Sequence, residues 1–257
     1  MSFQAVQQRW DGFLSKIESR FEEILQQAHD ALPTLIDYTT FDVLPLMHAW
    51  GGIGTQLKEL TGKISDTWEN QVEEAFEKVE KNNKQIEQER LKGEDLEKRL
   101  ERRLQQFEIT LKADISRQMQ KRATEILSKE FLCTQCKAPL EIEQNFYRSY
   151  YKVCSYCQTT NTFEPGTIAR NIEHFALHAL AEEAAIEENF AYQEISGQYS
   201  GQRSDRPKSI KKEAVIDAYR KYVEKYLKKR IEIIPDYEKR YDEDLQGKVE
   251  QVSKWLY

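Results

Sequence analysis

Four cysteines at a regular spacing are the residues of this chain whose chemistry is easiest to recognise. Cys133 and Cys136 form one C-x2-C pair, Cys154 and Cys157 form a second, and seventeen residues separate the two pairs. The chain has no other cysteine. Two such pairs at this spacing are typical of a zinc site with four thiolate ligands, and Zn²⁺ prefers tetrahedral coordination by deprotonated sulfur. The sequence therefore predicts one bound zinc ion with these four residues as its ligands.

The residues around the cysteines resemble a known type of small domain. The segments FLCTQCKAPL and VCSYC are similar to the paired knuckles of zinc-ribbon domains, over about residues 131–165. The resemblance implies a small β fold and a structural metal, and it implies no biochemical activity. Apolar and β-branched residues predict short strands, with a turn over 143–146. The predicted strands cover 140–142, 147–153 and 160–163.

The knuckles depart from the zinc-ribbon pattern at one position each. Zinc ribbons often have glycine directly after the second cysteine of a knuckle, whereas Lys137 and Gln158 occupy these places. Glycine is favoured there because it adopts left-handed backbone conformations without steric cost. We therefore expect Lys137 and Gln158 to be strained or differently turned.

Other interpretations of the cysteines were weighed against a structural zinc. Two disulfides require an oxidising compartment, and the amino terminus does not look like a signal peptide. A redox C-x-x-C needs one pair in a βαβ setting, and a catalytic zinc needs an open coordination position that four thiolates do not leave. A segment of about 35 residues buries too little apolar surface to fold alone, so a structural role for the metal is preferred.

Residues 1–64 are predicted to form a helical segment. Apolar residues recur at steps of three and four over the first thirty residues, which predicts an amphipathic helix that Pro33 ends. Pro45 and the run Gly51-Gly52-Ile53-Gly54 predict further breaks. We interpret the glycines as a hinge between helices.

Residues 65–130 are predicted to be helical almost without interruption, with Ser65 or Asp66 as the N-cap. Two forms fit the sequence. One is a single long helix, and the other is a helical hairpin that turns near Gly93, with Asp95 capping its second helix. The apolar residues recur at irregular steps, which favours packing inside the chain over a coiled coil with a second chain.

A further helix is predicted over 166–195, after a turn at Pro165-Gly166-Thr167. His174 and His178 lie four residues apart on one face with Glu182, a spacing that suits a second metal ion. The sequence offers no further ligand cluster beside them. Histidines at the surface or at the edge of the core are the preferred interpretation.

The last part of the chain is predicted to be a linker followed by two helices. Residues 196–209 are rich in Gly and Ser, which is typical of a flexible linker. Residues 210–257 are predicted to form a helical hairpin in which Ser209 caps the first helix and Pro235 begins the second.

A basic segment runs from Arg203 to Arg230. Its eleven basic and four acidic residues give a local excess of +7 in a chain whose net charge is −6. Basic clusters beside tyrosines can bind phosphates and stack on bases. They also form solvated helix faces or pair with acidic stretches such as 182–188, and this second interpretation is preferred. The basic residues are Arg203, Arg206, Lys208, Lys211, Lys212, Arg220, Lys221, Lys225, Lys228, Lys229 and Arg230.

Together these patterns predict a mainly α protein in which long amphipathic, coiled-coil-like helices flank a small zinc-ribbon β insertion. No Ser/His/Asp set, phosphate loop or H-E-x-x-H motif is present, so we do not expect an enzyme. No apolar run approaches the ~20 residues that span a bilayer. We expect a cytoplasmic, non-enzymatic zinc-binding scaffold or adaptor with a protein partner. The alternative is a nucleic-acid-associated protein that uses the ribbon hairpin and residues 203–230.

Overall fold

A computed structural model describes residues 2–79, 82–143, 147–201 and 209–256. The protein is mainly α, with two small antiparallel strand pairs, as the sequence predicts. The chain divides into two compact units, Met1–Phe107 and Glu108–Tyr257, which are described separately below. Among the described residues, no helix is both long enough and apolar enough to cross a membrane.

The first helix, α1 (Phe3–Ala31), is amphipathic as predicted. Its N-cap is Ser2, whose hydroxyl accepts a hydrogen bond from the backbone N–H of Ala5 at 3.3 Å. Pro33 lies two residues after its last residue, within a short 3₁₀-helix over Leu32–Leu35. Proline has no backbone N–H to continue an α-helix, which explains this end. The buried face of α1 consists of Val6, Trp10, Leu14, Ile17, Phe21, Ile24, Leu25 and Ala28.

Helix α2 (Leu44–Thr67) shows that the predicted glycine hinge is wrong. Pro45 lies in its first turn, where proline is tolerated, but Gly51, Gly52 and Gly54 are all helical. Each glycine costs a helix about 1 kcal/mol relative to alanine. The buried face of the helix outweighs that cost, because its apolar residues pack against α1. Those buried residues are Leu46, Trp50, Leu57, Thr61 and Ile64.

The region 65–130 contains a break, but not at Gly93. Ser65 and Asp66 lie within α2 and do not begin a helix; α2 continues into a π-helical turn, Trp68–Val72, and a short helix, α3 (Glu73–Glu77). Helix α4 (Asn83–Leu127) then runs through Gly93 without interruption. The predicted hairpin turn was therefore placed about ten residues too late.

Gly93 has a packing role that explains why glycine stands inside α4. A Cβ atom at this position would lie 2.7 Å from Cζ2 of Trp10 and 3.2 Å from Cγ2 of Ile64. At 2.7 Å the Trp10 ring would have to move, so glycine lets this ring lie directly against the helix backbone.

Polar contacts fix α1 against the first half of α4. Three ion pairs join residues that are 81 positions apart: Asp11 with Lys92, Glu18 with Arg99 and Glu22 with Arg103. A constant difference in residue number means that the two helices run in the same direction. The indole N–H of Trp10 donates to the backbone carbonyl of Glu89 at 3.0 Å, which adds a buried contact to the same interface.

In the carboxyl-terminal unit, the strands form two hairpins. β1 (Phe131–Leu132) pairs with β2 (Pro139–Leu140), and β3 (Tyr150–Val153) pairs with β4 (Thr160–Phe163), both antiparallel. The predicted strand at 160–163 is confirmed. Of the strand predicted at 140–142 only Leu140 lies in a strand, β2, which pairs with β1 and not with the 147–153 segment. Of the strand predicted at 147–153, residues 150–153 form β3. Most of the turn predicted over 143–146 lies outside the described residues.

The helix predicted over 166–195 is divided into several parts. α5 (Gly166–Asn171) is followed by a π-helical turn (Ile172–Ala176), α6 (Leu177–Ala184) and α7 (Ile186–Ser200). The chain bends at Ala185, whose φ of −107° and ψ of 16° are not helical. Residues 196–200, predicted to belong to a linker, are helical because the buried ring of Tyr199 anchors the end of α7.

The predicted carboxyl-terminal hairpin consists of α8 (Lys212–Ile233) and α9 (Tyr241–Trp255), which pack together. A 3₁₀-helix over Pro235–Arg240 joins them, in agreement with the predicted role of Pro235. The N-cap of α8 is Lys211 and not Ser209. α8 also packs against α6 and α7, so it lies at the centre of this helical group.

Candidate metal centre

The first cysteine pair lies in the turn between β1 and β2. The backbone N–H of Cys133 donates to the carbonyl of Ala138 at 2.8 Å, and the N–H of Lys137 donates to the carbonyl of Cys133 at 3.1 Å. These bonds fold Cys133 and Cys136 into one tight knuckle. Lys137 has a φ of 61°, in the left-handed region that favours glycine.

The second pair repeats this geometry. The N–H of Cys154 donates to the carbonyl of Thr159 at 2.9 Å, and the N–H of Gln158 donates to the carbonyl of Cys154 at 3.0 Å. Gln158 also has a φ of 61°. The strain expected at Lys137 and Gln158 from the missing glycines is therefore present at both positions.

The two knuckles bring the four sulfur atoms together. All four Sγ atoms lie within 4.8 Å of one another. Cys133 Sγ is 3.5 Å from Cys157 Sγ, and Cys136 Sγ is 3.6 Å from Cys154 Sγ. Four sulfurs at ~2.3 Å from one tetrahedral ion would be about 3.8 Å apart. The four predicted ligands therefore form a potential metal site, and none of them is part of a disulfide.

A buried amide lies directly behind the sulfurs. The side-chain N–H of Asn161 is 3.6 Å from Cys133 Sγ, and its Oδ1 accepts from the backbone N–H and the hydroxyl of Thr134, both at 2.9 Å. Its Nδ2 also donates to the carbonyl of Thr159 at 3.0 Å. Asn161 thus links both knuckles and orients one thiolate. Sequence reasoning identified its strand but not its role, although the alternation of β4 places it on the same inward face as Phe163.

Electrostatics differ among the four thiols. The pKa of Cys133 is lowered to about 6, first by the backbone N–H of Cys136 and further by Gln135 and Asn161, against the effect of burial. The pKa of Cys157 is also lowered, mainly by the hydroxyl and backbone N–H of Thr159. The N–H groups of the knuckles thus stabilise negative sulfur before any ion is considered.

The pKa of Cys136 is raised because four thiols lie close together. The backbone N–H of Ala138 favours its thiolate most strongly, but hydrogen bonds to Cys157, Cys154 and Cys133, together with burial, raise its pKa to about 12. Four negative sulfurs this close together repel one another. A divalent cation removes that repulsion, so metal binding at this site would release protons.

Aromatic rings fill the interior of the ribbon beside the cysteines. The ring of Phe163 contacts Phe131 edge-on with 4.6 Å between centroids, and contacts Tyr150 at 5.0 Å. Tyr147 is buried. Arg148 joins the ribbon to the adjoining helices through an ion pair of 2.6 Å with Glu173.

The histidine pair does not form a second metal site among the described residues. His178 accepts or donates a hydrogen bond with the hydroxyl of Tyr226 at 2.8 Å, and its other ring nitrogen is 3.4 Å from Glu182. His174 is exposed and joins no cluster of metal-ligating side chains in the described part of the chain. The geometry supports the preferred interpretation, in which these histidines lie at the surface or at the edge of the core.

The basic segment is partly neutralised within the chain. Lys225 forms an ion pair with Glu188 at 2.7 Å, which agrees with the preferred pairing between this segment and the acidic 182–188 stretch. Lys229 pairs with Glu232, and Arg230 lies over the ring of Tyr237 at 4.4 Å. Arg203, Arg206 and Lys208 lie outside the described residues. Arg220, Lys221 and Lys228 are exposed.

No family model matches this chain, and no curated protein or solved structure is significantly similar to it.

Proposed function

We propose that the four thiolates bind one structural Zn²⁺ ion and that the resulting ribbon is a non-enzymatic docking module. Cys133, Cys136, Cys154 and Cys157 would hold the ion. The sulfur–sulfur distances are close to those of a tetrahedral site, which is the geometry that Zn²⁺ prefers. The N–H groups directed at Cys133 favour its thiolate, which is the form that binds zinc. Four protein ligands leave no position for a reacting water, which supports a structural role.

Zinc identity is testable on the full-length protein. We expect about one zinc per chain by elemental analysis of the wild type, and loss of the metal in Cys133→Ser and in Cys154→Ser. Ser155→Ala, in the same knuckle as Cys154, is the matched control and should retain zinc. Full zinc occupancy in both cysteine variants would contradict the four-cysteine site.

The observation that carries the docking function is a set of exposed apolar side chains on the ribbon, residues 131–163. Leu132, Tyr151, Val153 and Tyr156 expose 47%, 77%, 53% and 74% of their surfaces. Tyr151 and Val153 alternate with less exposed residues along β3, so they share its outer face. Contiguous exposed apolar surface marks interaction sites, and the shared face of Tyr151 and Val153 is the part of this set for which the strand geometry supports such a patch. These four exposed side chains are the ones that a scaffold or adaptor would use to bind an apolar surface of a protein partner.

A pull-down from the native host tests the docking surface. We expect the full-length protein to retain a discrete set of partners after nuclease treatment and in about 0.5 M salt, where exposed ion pairs are screened. The double variant Tyr151→Ser/Tyr156→Ser should lose these partners. Leu44→Ser removes an apolar side chain of similar exposure, 62%, from the other unit and should keep them. Equal capture by the ribbon variant and the control would refute the proposal.

A nucleic-acid-associated role is the second candidate, and one observation favours it. Arg220, Lys221 and Lys228 are exposed on α8, and within the described part of the chain no acidic side chain forms an ion pair with them. Phosphate contacts would make binding fall steeply with salt. Partners that are lost on nuclease treatment, together with loss of nucleic-acid binding in Arg220→Gln/Lys221→Gln/Lys228→Gln, would favour this candidate.

A further inference from the structure

The four cysteines of the candidate metal centre differ in their access to solvent. Cys133 and Cys154, the first cysteine of each knuckle, are 0% exposed. Cys157 is half-buried, whereas Cys136 is exposed. Lys137, the residue that follows Cys136, is exposed as well. A reagent from solvent therefore reaches Cys136 more readily than the two buried cysteines.

Polar side chains lie beside two of the sulfurs, but not beside that of Cys136. The amide of Asn161 is 3.6 Å from Cys133 Sγ, and the hydroxyl of Thr159 is 3.3 Å from Cys157 Sγ. In the described part of the chain, the side chains that hydrogen-bond to Cys136 Sγ are those of the other cysteines. Hydrogen-bond donors stabilise a thiolate, and a stabilised thiolate is a weaker nucleophile. Cys136 is thus the exposed cysteine of the four and lacks a donor of this kind.

We propose that Cys136 is an oxidation-sensitive thiolate whose reaction with a peroxide releases the zinc ion and unfolds the ribbon. This inference rests on the proposed structural zinc and adds a means of regulating the docking surface. In the zinc-loaded site the cysteines are thiolates, because that is the form that binds the ion. Thiolate character and exposure together determine which cysteine an oxidant attacks. Both conditions are met at Cys136.

Hydrogen peroxide is the simplest oxidant of this class, and its reaction at Cys136 has two steps. The thiolate attacks one peroxide oxygen, so that an S–O bond forms, the O–O bond breaks, hydroxide leaves and Cys136 becomes a sulfenic acid. A second thiolate then attacks this sulfur and displaces a second hydroxide, which leaves a disulfide. Cys154 Sγ, 3.6 Å away on the other knuckle, is the expected partner. Overall, two thiolates give two electrons to the peroxide, and two protons convert the hydroxides to water.

The disulfide removes two of the four candidate ligands. Two remaining thiolates do not complete the tetrahedral coordination of zinc, so the ion is released. A segment of about 35 residues buries too little apolar surface to fold without its metal. Tyr151 and Val153 then lose the strand that places them on one face. Oxidation therefore releases a partner bound to this face, and a thiol reductant together with zinc restores the binding.

Selective labelling of the zinc-loaded, full-length protein tests the site without any substitution. The protein is treated with a substoichiometric amount of N-ethylmaleimide, and tandem mass spectrometry locates the label. We expect Cys136 to be labelled at least about ten-fold more than either Cys133 or Cys154, because labelling follows exposure and thiolate character. Equal labelling of Cys136 and the two buried cysteines would overturn the proposal.

A matched pair of histidine variants tests the release of zinc. Histidine also binds zinc but forms no disulfide. We expect hydrogen peroxide to release zinc from Cys136→His at least about ten-fold more slowly than from the wild type, and from Cys154→His at about the wild-type rate. A coloured chelator follows the released ion, and dithiothreitol with added zinc should reverse the reaction of the wild type. Equal rates in the wild type and Cys136→His would refute the role of Cys136. If either variant fails to bind zinc, the labelling of the wild type decides.

The zinc content before oxidation separates this inference from the proposed function. Purified protein without zinc would refute both. Zinc-loaded protein from which peroxide releases no zinc, or which is labelled equally at all four cysteines, would refute the oxidation-sensitive site alone and leave the structural zinc in place.

Discussion

At the scale of single residues, the candidate metal centre includes a side chain that is not one of the four candidate ligands. Asn161 touches Cys133 Sγ with its amide and holds Thr134 of one knuckle and Thr159 of the other. Groups behind a metal ligand fix its orientation and basicity, and their loss typically costs 10–100-fold in affinity. The centre should therefore be sensitive to a residue that contributes no bond to the ion.

We expect Asn161→Ala to weaken zinc affinity by about 10–100-fold, because the Cys133 thiolate loses an N–H donor and the knuckles lose their link. Competition with a coloured chelator measures the change. Thr162→Ala alters the neighbouring exposed residue of β4 and should have little effect. If both variants bound zinc as tightly as the wild type, Asn161 would have no role in holding the site.

The left-handed residues after each knuckle allow a gain in stability. A side chain in this conformation costs about 1–2 kcal/mol, and glycine avoids the cost at some expense in entropy. We expect Lys137→Gly and Gln158→Gly each to stabilise the ribbon by up to about 1 kcal/mol, which corresponds to roughly five-fold tighter zinc binding.

The same chelator competition measures the glycine variants. The control is Ser155→Gly, because Ser155 lies in a knuckle but does not have a positive φ. It should weaken zinc binding or leave it unchanged. Weaker binding in both Lys137→Gly and Gln158→Gly would show that the side chains contribute more than the strain costs.

At the scale of elements, the contact between α1 and α4 depends on the absence of a side chain at Gly93. An alanine Cβ there would lie 2.7 Å from the Trp10 ring. We expect Gly93→Ala to lower the free energy of unfolding by about 1–3 kcal/mol, as overpacking does. Urea denaturation followed by tryptophan fluorescence measures it.

Gly12→Ala provides the opposite expectation on a neighbouring helix. Gly12 lies in α1, and a Cβ there would meet no atom within 4 Å. Alanine should stabilise this helix by about 0.5–1 kcal/mol. If Gly93→Ala were as stabilising as Gly12→Ala, the close contact with Trp10 would not be what selects glycine in α4.

The sequence predicted those elements whose cause is local. Pro33 ends α1 because proline cannot continue a helix, and the spacing of the cysteines defines two knuckles. The failures have causes that lie elsewhere in the chain. Gly51 is helical because α2 buries an apolar face against α1. Gly93 was predicted to be a turn because the sequence does not show that the Trp10 ring packs against it.

The same distinction between local and long-range causes holds for the candidate metal site. The four ligands and the strained positions Lys137 and Gln158 follow from a repeated local motif. Asn161 could not be assigned, because its importance depends on contacts with residues 27 and 28 positions away.

At the scale of the whole molecule, the candidate metal site occupies a small part of a largely helical chain. The zinc knuckles and strands lie within residues 131–163, and Trp10, Trp50 and Trp68 all lie in the amino-terminal unit. We expect removal of zinc by a chelator to unfold the ribbon while most helical circular dichroism and the fluorescence of these tryptophans persist. Loss of most of the helical signal on chelation would show that the metal supports the entire fold.

The edge-on contact between Phe131 and Phe163 has a consequence for how the chain would tolerate replacement of the segment between them. These residues are the first and last of the β strands, so the segment leaves the helical framework and returns to it at nearly the same point. Segments whose ends meet can be acquired or exchanged as cassettes without rebuilding the host, because the flanking helices need only a short bridge in their place. We therefore expect the chain to tolerate the exchange of residues 131–163 for a short bridge while the flanking helices keep their fold.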